Sequence, residues 1–118
     1  MAEKLSESEL NELVKSGNYS TRFDELRRFR CAVSLHKYGS ASRNFPERVD
    51  AIATMELCIK KYRDTHNTEY LLDAANYLMF EFMFPRDKEA RFTPTDDSGS
   101  AGIVGMSIKE IEDFNNNY

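Results

Sequence analysis

Apolar positions along most of this chain recur at three- and four-residue spacings, the period of a helix, with no sustained alternation of period two. Ser6 followed by Glu9 is a capping-box spacing and predicts a short helix from about Glu7 to Ser16, stopped by Gly17. Its apolar stripe is Leu10, Leu13 and Val14. Ser20 or Thr21 starts a second helix that Gly39 ends; its stripe is Leu26, Phe29 and Val33, with Phe23, Ala32 and Leu35 beside it. The polar stretch 39–44 reads as a loop. Pro46 suits the first turn of a third helix, where its missing N–H is harmless. That helix continues to about Asp64 and buries Val49, Ile52, Ala53, Ile59 and Tyr62. Asn67 or Thr68 caps a fourth helix from Glu69 to Phe84, closed by Pro85. The fourth helix is apolar almost all round, which places it at the centre of a bundle or at a subunit interface. Residues 86–106 read as an extended arm. Ser107 with Glu110 repeats the capping spacing, so a last short helix spans about Ile108 to Asn115, with Ile108, Ile111 and Phe114 placed to dock it. The expected class is all-α: a small helical bundle with three main helices and two short ones, residues 1–85 forming the bundle and residues 86–118 an extended C-terminal arm that carries the last short helix, all one domain.

Composition changes this picture little. The chain has 118 residues, 41% of them hydrophobic and 12% aromatic, enough for one domain with a core. No apolar run reaches the ~18–20 residues of a membrane span. The first residues carry no signal-peptide core, so the expected location is cytoplasmic. Cys31 and Cys58 lie inside helices without a second Cys nearby, and read as buried free thiols. His36 and His66 are too far apart in sequence to suggest a zinc site or a triad, and no Gly-rich phosphate loop is present.

Charge changes it more. The formal net charge is −4, against the basic footprint of a generic nucleic-acid binder. Yet residues 20–48 hold seven basic and three acidic side chains. The second helix is therefore arginine-rich, either a phosphate-binding face or a solvated face paired with neighbouring acids. In helices three and four, Glu56 falls on the stripe of Ile52 and Ile59, and Asp73 sits inside the most apolar helix. Glu69, Asp73 and Asn76 share a line at i, i+4 and i+7, while Glu47 precedes Asp50 by three. Carboxylates at core-facing positions are costly unless they bind a cation or pair with arginine. Two explanations compete: a Mg²⁺ site between the helices, or a structural network joining Asp73 to Arg30 or Arg27.

The stretch from Pro46 to Phe84 resembles the all-α nucleoside triphosphate pyrophosphohydrolases of the MazG type. Glu47-Arg48-Val49-Asp50 has the spacing of that family's first acidic motif, with Asp for the second Glu. Asp73 in Leu-Leu-Asp-Ala-Ala-Asn-Tyr is similar to the aspartate of the second motif in phage-associated members. Tyr70 stands where the second motif has a glutamate, and Glu69 is one position early. The carboxylates on the apolar faces and this resemblance together give the expectation of Mg²⁺ held by Asp50, Glu56, Glu69 and Asp73, with Glu56 and Asp73 catalytic; Glu56 has no counterpart in the family's motifs. Arg27, Arg30, Lys60 and Asn76 would bind the nucleotide, which would be cleaved to monophosphate and pyrophosphate. The apolar fourth helix predicts a homodimer. An alternative expectation is a non-enzymatic, phage-type inhibitor of a host defence protein (of the anti-CRISPR kind) acting through acids on its outer surface. A third is a small nucleic-acid-binding regulator using the arginine-rich helix. Convergence of Glu56, Asp73 and Glu69 in one pocket would favour the enzyme, and an outward acidic stripe the inhibitor.

Overall fold

The computed structural model describes residues 4–117, the side chain of Asp97 excepted. Among these residues it holds six α-helices, one 3₁₀ turn at Asp97–Gly99 and no strand. Helix α1 spans Glu7–Lys15. The Ser6 hydroxyl accepts from the Glu9 amide at 3.1 Å, and the Glu9 carboxylate accepts from the Ser6 amide at 3.3 Å, which completes the capping box. Gly17, at φ +79°, lets its own amide reach the Val14 carbonyl and that of Asn18 reach the Leu13 carbonyl, a Schellman ending. Helix α2 spans Thr21–Tyr38, capped by the Ser20 hydroxyl on the Phe23 amide.

The link to the next long helix differs from the sequence expectation. The stretch expected as a loop contains a helical turn, α3, at Ala41–Asn44. The Asn44 carbonyl then accepts from both Arg48 and Val49, which ties 45–49 into a turn, with a cis Phe45–Pro46 bond. Pro46 is thus not in the first turn of a helix. Helix α4 begins later and spans Ala51–Thr65, because Asp50 caps it by accepting from the Ala53 amide at 3.0 Å. His66 ends α4 in the left-handed conformation. Asn67 supplies the cap of α5, Glu69–Met83, accepting from the Glu69 amide at 3.0 Å. Helix α6, Ile108–Asn117, is capped by Ser107, whose hydroxyl accepts from the Glu110 amide.

Helix α5 is the centre of the body: α4 packs along one side as an antiparallel hairpin partner and α2 along another. Among the described residues the buried apolar ones are few, namely Phe45, Ala51, Ala74 and Phe80. Phe45 stacks on Phe80 at 4.7 Å between ring centroids, and Tyr77 meets both rings edge-on at 6.2 and 6.1 Å. The buried face of α4 runs through Ala51, Met55, Cys58 and Tyr62, while Ile52 and Ala53, expected inside, are exposed. On α2 the expected apolar stripe is largely outside the body: Phe29 is 67% exposed and Leu26 is exposed, while Val33 is half-buried. The face that meets α5 carries Arg27, Arg30 and Cys31, because α5 offers polar partners to it. On α6, Ile108 and Phe114 remain mostly exposed and Ile111 is half-buried. The radius of gyration is 17.3 Å, against about 13.5 Å for a compact domain of this length.

Candidate functional site

Two features stand on α5, side by side, where α2 crosses it. The first is a clamp of charged groups. Arg30 donates from Nε and Nη2 to the two carboxylate oxygens of Asp73 at 3.0 and 3.1 Å, a bidentate fork. Its Nη1 lies 3.5 Å from Glu69. The hydrogen bond to Asp73 holds the Arg30 guanidinium charged, raising its pKa further above an already high value. One turn along, the buried Asn76 donates to the Arg27 carbonyl at 3.0 Å and accepts from the Arg27 guanidinium at 3.4 Å. The same guanidinium touches the Met79 sulfur.

Of the eight residues singled out in the sequence, this clamp gathers Arg27, Arg30, Glu69, Asp73 and Asn76. They hold one another, and Arg27 also borders the groove described below. The other three lie elsewhere. Asp50 is the α4 cap and pairs with Arg86 at 3.1 Å. Lys60 pairs with Asp64 at 2.8 Å along the exposed side of α4. Glu56 is exposed, in a shallow hollow with Asp50, Glu81, Arg86 and Asp87, and not on a core stripe. The reason is rotational: the buried face of α4 is the one with Cys58, so Glu56 turns outward with Ile52.

The four carboxylates read as Mg²⁺ ligands therefore split between two places. Asp50 is at the start of α4 and Asp73 near the start of α5, opposite ends of an antiparallel hairpin. Among the described residues no group of three or more His, Cys, Asp or Glu is placed to hold a metal ion. Both Asp73 oxygens are committed to Arg30, so the residues present do not fit a Mg²⁺ site. On the buried face of α4, Cys58 lies within reach of the Asp73 charge. Burial, and then the Asp73 charge, push its thiol pKa up.

The second feature was not singled out in the sequence. A groove of about 740 Å³ runs between the later turns of α2 and α5 and is roofed at one end by α3. Phe45, Tyr77 and Phe80 form its floor; Leu35, Tyr38 and Met83 stand on its walls, all three largely exposed. Arg27 and Arg28 lie at its edge. Tyr77 is half-buried there, and desolvation raises its phenol pKa. The signal was present as Cys31, Leu35 and Tyr38 at i, i+4 and i+7, but it crosses the stripe read as the core face of α2. Volume and lining fall in the range of sites that take an apolar ligand or an amphipathic helix. Comparison with protein-family models, with curated proteins and with solved structures gives no match for this chain.

Proposed function

We propose that this protein is a non-enzymatic binding module whose groove between α2 and α5 receives an apolar helical segment of a protein partner. The observation that carries this reading is the groove itself: an aromatic floor with Leu35, Tyr38 and Met83 left open around it. A helix-in-groove contact needs apolar anchors at i, i+3 or i+4, and i+7 on the incoming segment. Arg27 and Arg28 at the edge, in the stretch with seven basic and three acidic residues, favour a segment flanked by acids. Selection of displayed helical peptides against the protein is expected to enrich acidic sequences with that apolar spacing. Leu35→Glu, at an exposed position, is expected to weaken their binding at least ~30-fold, since a carboxylate would be buried against the incoming apolar face. Enriched peptides that bind Leu35→Glu as well as the parent would remove the groove from the reading.

The commitment of Asp73 to Arg30 also bears on the pyrophosphohydrolase expectation. Mg²⁺ or Mn²⁺, alone or with nucleoside triphosphates, is expected to leave the melting temperature unchanged, because a ligand raises it only by binding the folded state. A metal-dependent rise that Asp73→Asn abolishes would return the carboxylates to a catalytic role and displace the binding-module reading.

A further inference from the structure

Helix α6 has an apolar side that the body leaves largely uncovered. Ile108, Ile111 and Phe114 follow one another at spacings of three on one side of the helix, and Glu110 and Glu112 stand on its two flanks. Ile108 is 50% exposed and Phe114 54%, while Ile111 is half-buried. Among the described residues the extensive helix packing is that of α4 and α2 on α5, and α6 takes no part in it.

We infer that α6 is the resident occupant of the groove between α2 and α5: the chain's own C-terminal helix folds back into it and competes with the partner segment. The inference rests on the proposed function of the groove and adds its regulation; the arrangement described above is the open one. Three observations select this occupant. The first is charge. Residues 108–117 hold Glu110, Glu112 and Asp113 against Lys109 alone, whereas Arg27 and Arg28 lie at the groove edge. Arg27 is held by Asn76, but among the described residues Arg28 pairs with no carboxylate. Because acids flank the apolar side of α6, seating that side brings a carboxylate to the arginine edge. The second is length. The ten residues of α6 extend about 15 Å, and the wall of α2 from Arg28 to Tyr38 also runs about 15 Å. The third is the tether. The arm leaves α5 at Met83, itself a wall of the groove, and the 24 residues 84–107 join it to α6. A linker of that length spans about 25–30 Å on average. It holds α6 near the groove at about a millimolar effective concentration, so even a weak contact closes. Position 115, seven residues after Ile108, is Asn, so α6 lacks the last anchor of a full helix-in-groove ligand. A partner segment that has this anchor displaces α6, and until it does the occupied fraction lowers its apparent affinity.

Nuclear magnetic resonance on the full chain tests this. Overhauser contacts are expected between the Ile108 or Ile111 methyls and the rings of Tyr38, Tyr77 or Phe80. Ile111→Glu is expected to abolish them with unchanged helix content. A fluorescein-labelled peptide of residues 106–118 is expected to bind the Ile111→Glu chain at least ~3-fold tighter than the parent, because the resident helix no longer competes. Adding Leu35→Glu to Ile111→Glu is expected to remove that binding. Absence of the contacts in the parent, or equal peptide affinity for parent and Ile111→Glu, would overturn the inference. Contacts found only between labelled and unlabelled copies in a mixed sample would give the helix to a second chain and overturn closure within one chain. The selected helical peptides report on the groove alone. If they bind through Leu35 and the 106–118 peptide does not bind, α6 is not the occupant and the groove reading stands; if neither depends on Leu35, both fall.

Discussion

Phe80→Ala is expected to lower the free energy of unfolding by about 3–5 kcal/mol, the usual cost of emptying a phenylalanine site in a core. Phe80 is 8% exposed and is the ring on which Phe45 stacks and Tyr77 abuts. A domain of this size has about 5–15 kcal/mol in all, and among the described residues only four apolar ones are buried. The substitution therefore removes much of what keeps the body folded. Because the same three rings floor the groove, loss of Phe80 also deprives any occupant of its seat. Urea unfolding followed by circular dichroism gives the number directly. Phe80→Leu, which keeps most of the volume, should retain more than half of the lost stability. A cost below about 1 kcal/mol for Phe80→Ala would mean that the ring trio is not the core.

Asp73→Ala is expected to cost about 2 kcal/mol. Stranding one member of a fully buried ion pair costs about 3–5 kcal/mol. Here the side chains of Arg30 and Asp73 keep 31% and 20% of their exposure, so solvent screens part of the loss. Glu69, at 3.5 Å, also remains to face the guanidinium. The effect resides in the unpaired arginine rather than in the missing carboxylate. Arg30→Met combined with Asp73→Ala should accordingly be more stable than the sum of the two single changes predicts. A double-mutant cycle by urea unfolding measures this coupling. Strict additivity would show that the clamp contributes nothing to holding α2 on α5.

The helix boundaries were legible wherever a side chain closes a backbone group. Ser6 with Glu9, Ser20, Asn67 and Ser107 with Glu110 each mark a start, and Gly17, Gly39 and Pro85 each mark an end. Asp50 has the same chemistry, but Pro46 lies four residues earlier and offers a competing start for α4. Asp50, which the family motif spacing assigns to metal, is the side chain that caps α4. The rotational setting of the helices was less legible. On α2 the apolar residues Leu26, Phe29 and Val33 outweigh the arginine face, and apolar count alone places that stripe inward. The structure turns Leu26 and Phe29 outward because Asp73 and Asn76 on α5 supply a fork and an amide that fit Arg30 and Arg27. Glu56 follows the same pattern, taken for a core-facing acid because Ile52 and Ile59 flank it, when Ile52 itself faces water. Hydrophobic period finds the axis of a helix, but polar pairs between two helices can set its rotation. Of the alternatives for the carboxylates, the pairing of Asp73 with Arg30 is the one present; the groove has no polar signature in the sequence to announce it.

The connection between α4 and α5 is three residues long, and the two helices bury more of each other than either does of α2. Contacts between near neighbours in sequence close with little loss of chain entropy. The hairpin is thus the part that can form early and alone, and α2 is the part that must arrive across some thirty intervening residues. Its arrival is guided by a polar match at Arg27 and Arg30, not by an apolar face that could settle in several registers. The arginines therefore decide where α2 lands, and with it whether a groove exists at all.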